Sequence, residues 1–132
     1  MLLIIYSLLL SYMVFFAICI APVVNNSLDR SNSSKLLRKL FPRNFTYGLI
    51  LSFIALILSI TDKNFFSIII AIIIIVSFSI NLKVLIPMIN SEADKFINNN
   101  KYSNRFKKLH FISVTLYLLN IIMSSVAIIK NY

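Results

Sequence analysis

Four long apolar runs, at about 2–24, 45–61, 65–87 and 109–129, occupy most of this 132-residue chain. Runs of this kind leave few folds open. A helix rises about 1.5 Å per residue, so ~20 apolar residues cross the ~30 Å hydrocarbon layer of a bilayer with every backbone group bonded inside the helix. Three of the four runs reach that length. The second is at the short end of the range, so it must stand nearly upright or thin the bilayer locally. The expected fold class is therefore all-α: an integral membrane bundle of four transmembrane helices with short amphipathic cytoplasmic segments. The linkers are too short for a separate soluble module, so residues 1–132 are expected to form one four-helix transmembrane domain. A hydrophobic fraction of 59% agrees, being above the share usual in soluble domains. The first run has no Lys or Arg ahead of it and is longer than a signal-peptide core, so it is expected to remain as a span.

The formal charge of +9 would point to nucleic acid in a soluble protein. Here the cations flank apolar runs, where they report topology, and no nucleic-acid partner is expected. Residues 25–44 hold Arg30, Lys35, Arg38, Lys39 and Arg43, while residues 88–108 hold Lys95, Lys101, Arg105, Lys107 and Lys108. Against those ten, the other side has Lys63 and Lys130. By the positive-inside bias both linkers belong in the cytoplasm, which leaves both termini outside. Lys83, near the cytoplasmic end of the third run, can snorkel to the interface. Ser33 and Ser34 are expected to cap a short interfacial helix ending at Pro42, with Leu36, Leu37, Leu40 and Phe41 on one face. Its Lys35, Arg38 and Lys39 would meet anionic lipid headgroups; the plainer reading is a helical elbow between spans. In the second linker Ile89, Ala93, Phe96 and Ile97 continue a stripe with Glu92 and Asp94 facing water. The run Asn98-Asn99-Asn100 breaks it, and Asn104 is expected to cap the fourth span.

Polar groups inside apolar spans are costly and therefore informative. Gly48, Ser52, Ala55 and Ser59 fall on one stripe of the second span, as a close-packing face would. In the fourth span His110, Ser113, Tyr117, Asn120 and Ser124 share a side that should turn toward the other helices. Asn81 of the third span lies at the level of His110 and Ser113. Two readings stand for this group: hydrogen-bonding glue between helices, or a small polar cavity open to the cytoplasm and lined by Asn81, His110, Ser113 and Tyr117. His110 is the single histidine and Cys19 the single cysteine. Neither a metal nor a haem site can be assembled around them, so no cofactor is expected; Cys19 reads as a small buried hydrophobe. The carboxylates Asp29, Asp62, Glu92 and Asp94 all sit outside the apolar runs. No catalytic constellation follows, and no catalytic or metal residue is assigned. The Asn-x-Ser/Thr matches at Asn25, Asn32 and Asn44 fall on the cytoplasmic side and carry no weight as glycosylation sites.

Ala21-Pro22-Val23, Leu40-Phe41-Pro42, Asn81 with Leu85-Ile86-Pro87, and Leu109-His110-Phe111-Ile112-Ser113 with Asn120 together resemble the transmembrane-protein-205-like family. That family comprises small four-span membrane proteins of unknown molecular function. The likeness runs over nearly the whole chain and departs from the pattern at the polar Asn25-Asn26-Ser27. It implies that Pro22, Pro42, Pro87, His110, Ser113 and Asn120 belong to a shared structural or functional site near the cytoplasmic face, with Phe41 and Leu109 as further residues of the pattern, and supplies no reaction. The expected function is a small non-enzymatic binding, interaction or accessory protein of the bacterial inner membrane. Its partners would be the lipid bilayer and, left open, a second copy or another membrane protein. The alternatives are a transporter or channel component acting as an oligomer, and a haem-binding membrane redox protein.

Overall fold

The computed structural model describes residues 1–95 and 101–132, so Phe96, Ile97 and the Asn98–Asn100 break lie outside the described residues. Four helices make up the fold: α1 (Leu2–Ser27), α2 (Arg30–Thr61), α3 (Phe65–Asp94) and α4 (Asn104–Asn131). Each is long and apolar enough to cross a membrane, and no strand occurs among the described residues. They run up and down in a ring, with α1 and α3 each packed between α2 and α4.

The closest pairing, α2 on α3, follows from the small-residue stripe. Gly48, Ser52, Ala55 and Ser59 are all buried. The Ser52 and Ser59 hydroxyls donate to the carbonyls of Gly48 and Ala55 one turn back, at 2.6 and 2.7 Å, so their donor capacity is met within the helix. Phe78 of α3 fills the space above Gly48, where an added Cβ would stand 2.6 Å from the ring. The α2–α3 turn closes on Lys63, whose φ of 52° is left-handed, while Lys63 and Asn64 donate to the carbonyls of Ile60 and Ser59. This is the double bond pattern that normally uses glycine at the turning residue. Asn64 then caps α3 by accepting from the Ser67 N–H at 3.0 Å.

Two prolines shape the other half. Turns Phe16–Ile20 in α1 and Asn81–Leu85 in α3 are widened to π-helix, and Pro22 and Pro87 each follow two residues later. A proline has no N–H to donate and clashes with the carbonyl four residues back; an expanded turn before it relieves that clash without breaking the helix. Pro42 behaves differently from the sequence expectation. No short helix ends there: α2 starts at Arg30 and passes through Pro42 unbroken to Thr61. Leu40 and Phe41 before it and Phe45 after it pack on one core, and that burial outweighs the lost backbone bond. The cap is also earlier than Ser33 or Ser34. Asp29 accepts from the Asn32 side chain at 2.5 Å and its N–H at 3.3 Å, contacts that hold the carboxyl below its ordinary pKa. Similarly α4 is capped by Ser103, which accepts from the Phe106 N–H at 3.0 Å, rather than by Asn104. Cys19, expected inside, is exposed on the outer side of the widened turn of α1.

Candidate functional site

The inward stripe of α4 is one row of polar groups with unequal surroundings. Ser113 is buried and donates to Asn81 Oδ1 of α3 at 2.5 Å, while Asn81 Nδ2 donates to the Ser77 carbonyl at 3.4 Å. One turn deeper, the Tyr117 hydroxyl donates to the Met13 carbonyl of α1 at 3.3 Å and accepts from Asn44 Nδ2 of α2 at 3.2 Å. That joint ties three helices. Beyond it, the amide of Asn120 and the hydroxyls of Ser124 and Tyr12 are buried without a hydrogen-bond partner among the described residues. His110 does not reach Asn81. It is exposed, with its ring parallel to Phe106 at 6.1 Å.

These residues border a cleft at the basic end of the bundle. Helices α1 and α4 pack together along Leu2–Phe15, then separate from the widened turn onward. Into the gap face Ala17 and Ala21 of α1 and Val114 and Leu118 of α4, leaving a cavity of about 260 Å³. Phe41 and Phe45 of α2 line its inner wall together with Phe16 and Tyr117. The floor is an aromatic cluster: Phe45 lies 5.9 Å from Phe78 and 5.8 Å from Tyr117, centre to centre, with Phe41 set between Phe16 and Phe45 at 5.6 and 6.3 Å. Such edge-on and offset contacts add to the area the rings bury and keep the floor shut.

Toward the end of the helices the cavity continues into a wider one of about 410 Å³, with Asn25, Arg38, Asn90 and His110 bordering both. One side of it is a ladder of planar groups, in which the Arg30 guanidinium lies 4.1 Å over Tyr102, Tyr102 stacks on Phe106 at 4.1 Å, and Phe106 faces His110. At the rim Arg38 Nη2 pairs with Asp94 at 2.6 Å and donates to the Asn90 carbonyl at 3.4 Å. Arg30, Lys35 and Arg38 outnumber the single Asp94 along this rim, so its potential is positive. Beside it Glu92, expected to face water, is buried: Lys95 at 2.8 Å, Arg105 at 3.6 Å and the Ser103 hydroxyl at 3.4 Å fold over it as α4 begins. Among the described residues no three His, Cys, Asp or Glu side chains come together as metal ligands.

Of the residues singled out in sequence, then, His110, Ser113, Tyr117 and Phe41 border the cavity, Asn81 stands behind Ser113, and Asn120 lies below the floor. Leu109 is buried one turn before Ser113 on the inward side of α4, outside the cavity lining, and Pro22 and Pro87 follow the widened turns of α1 and α3. Sequence reasoning passed over Asn44, Asn25 and Asn90. Asn44 is legible in retrospect, since an amide entering an apolar run needs a partner as much as Asn81 does.

No curated protein and no solved structure matches the chain. Residues 4–95, which carry α1, α2 and α3, match the family described as a domain of unknown function, DUF4149. With 92 of 132 residues matched, the chain belongs to the DUF4149 family.

Proposed function

We propose that this protein is a small, non-enzymatic membrane protein that binds a ligand in the cleft between α1 and α4. The observation that carries the reading is the separation of these two helices past Phe15, which leaves an apolar cavity with a polar, positively charged mouth. Pockets that hold small molecules have this make-up of apolar walls and a few convergent polar groups. The positive-inside bias of the basic linkers supports a mouth at the cytoplasmic face, with both termini outside, in what would be a bacterial inner membrane. Kinship with the transmembrane-protein-205-like family rests on the proline, Leu-His-x-x-Ser and asparagine pattern; its fourth-helix part falls outside the segment matched to DUF4149.

Native mass spectrometry of protein purified in a mild detergent tests the reading. The wild type should retain a non-covalent mass, and Ala17→Phe, which fills the gap from α1, should lose it while keeping the wild-type melting temperature. A wild type that carries no bound mass, or a bound mass that Ala17→Phe retains in full, would overturn the reading.

A further inference from the structure

We infer that the occupant of the cleft is one acyl chain of a phosphate-bearing, anionic lipid drawn sideways from the cytoplasmic leaflet, with its headgroup held at Arg38. This rests on the binding cleft proposed above and names what enters it.

The opening decides the route. The gap lies between neighbouring helices on the outside of the bundle, and Ala17, Val114 and Leu118 on its edges are exposed. In a bilayer those side chains meet hydrocarbon, so what enters laterally at this depth is a chain. A second helix, about 10 Å across, is the bulkier alternative. The inner cavity is about 260 Å³. An acyl chain is slimmer, and the small side chains Ala17 and Ala21, one turn apart, leave a channel for it on the face of α1.

The mouth decides the headgroup. Arg38 is about one-third exposed, and its contacts among the described residues, to Asp94 and to the Asn90 carbonyl, run through Nη2. Its Nε–H and Nη1 donors, which point to different sides of the guanidinium, remain, and each can give a phosphate oxygen a single charge-assisted hydrogen bond. Asn25 and His110 border the same space and can donate to the ester region. The excess of Arg30, Lys35 and Arg38 over Asp94 favours an anionic headgroup over a zwitterionic one, and negative lipids are attracted to such clusters from the leaflet surface. A soluble phosphate would gain the Arg38 contact and leave the aromatic-floored cavity unused.

The experiment adds four probes to delipidated full-length protein in detergent and measures retention by native mass spectrometry: phosphatidylglycerol, phosphatidylcholine, diacylglycerol and sn-glycerol 3-phosphate. Phosphatidylglycerol should be retained best and glycerol phosphate not at all. Arg38→Gln should lower phosphatidylglycerol retention about tenfold, the loss expected for one charged headgroup contact, while leaving diacylglycerol unchanged. Asp94→Asn, which leaves Arg38 in place and removes the competing carboxylate, should raise it; this variant separates headgroup loss from a collapse of the rim. Equal retention of phosphatidylglycerol and diacylglycerol, in wild type and Arg38→Gln alike, would overturn the headgroup assignment and leave the cleft reading standing. Binding of glycerol phosphate as tightly as the lipid would make this a free-phosphate site, and a dimer that excludes lipid would make the occupant a second copy; either overturns the inference. Retention of no chain-bearing probe would remove the cleft reading with it.

Discussion

Asn81 and Asn120 carry the same amide and are both fully buried, but among the described residues only Asn81 has a partner on another helix. The difference sets opposite expectations. Asn81→Leu strands the Ser113 hydroxyl and should cost about 1–3 kcal/mol, the penalty for a buried group left unpaired. In a double-mutant cycle with Ser113→Ala the coupling should reach about 0.5 kcal/mol or more, whereas His110→Leu, which has no contact with Asn81, should add to it independently. Equilibrium unfolding in mixed micelles reads both cycles; a strictly additive Asn81–Ser113 pair would deny the bond. Asn120→Leu exchanges an unpartnered amide for an apolar group of similar size and should leave stability unchanged or raise it. A fall of more than about 1 kcal/mol would show that Asn120 has a partner after all.

At the scale of elements, α2 and α3 pack closely because one residue has no side chain. Any Cβ at Gly48 runs into the Tyr12 hydroxyl and the buried Phe78 ring, whose edge would be 2.6 Å away. Gly48→Leu should therefore lower stability by at least the ~1–3 kcal/mol usual for overpacking. Ile57 lies on the outer side of the same helix, 61% exposed, and Ile57→Leu should stay within about 0.5 kcal/mol of wild type. Equal melting temperatures for the two variants would mean that this face is not the helix contact. The proline-containing helices show the complementary rule. Where Pro22 and Pro87 follow widened turns, helix direction and side-chain azimuth shift at that level, and this is where α1 leaves α4 and the cleft begins.

For the whole molecule, the two ends of the bundle differ in chemistry. The end away from the basic linkers is clasped: the Tyr6 hydroxyl donates to the Ser67 carbonyl at 2.8 Å, Asn64 Nδ2 donates to Asn131 Oδ1 at 2.8 Å, and Asn131 Nδ2 donates to the Ser67 hydroxyl at 3.0 Å. The other end is basic and open. If the proposed orientation holds, reporters fused after Lys39 and after Lys101 should behave as cytoplasmic, and those after Asn64 and at Tyr132 as exterior. A cytoplasmic signal at Tyr132 would refute it. In that orientation the clasped end would be exterior and the open end cytoplasmic, and ligand would enter from a single leaflet, as the lipid assignment requires.

Sequence alone determined the four helices, the packing stripe of α2 and the inward stripe of α4, because each depends on residues three or four apart on one helix. Only the tertiary structure decided the rest. The burial of Glu92 depends on Ser103 and Arg105 returning over the end of α3, and the continuity of α2 through Pro42 on a core built by Phe41 and Phe45. The pairing of Asn81 with Ser113, and the joint of Tyr117 with Asn44 and Met13, need relative height and rotation between helices, which no periodicity within one helix contains. The cleft is the clearest case. Ala17, Ala21, Val114 and Leu118 read as ordinary apolar positions, and they become a site because α1 and α4 part company after Phe15.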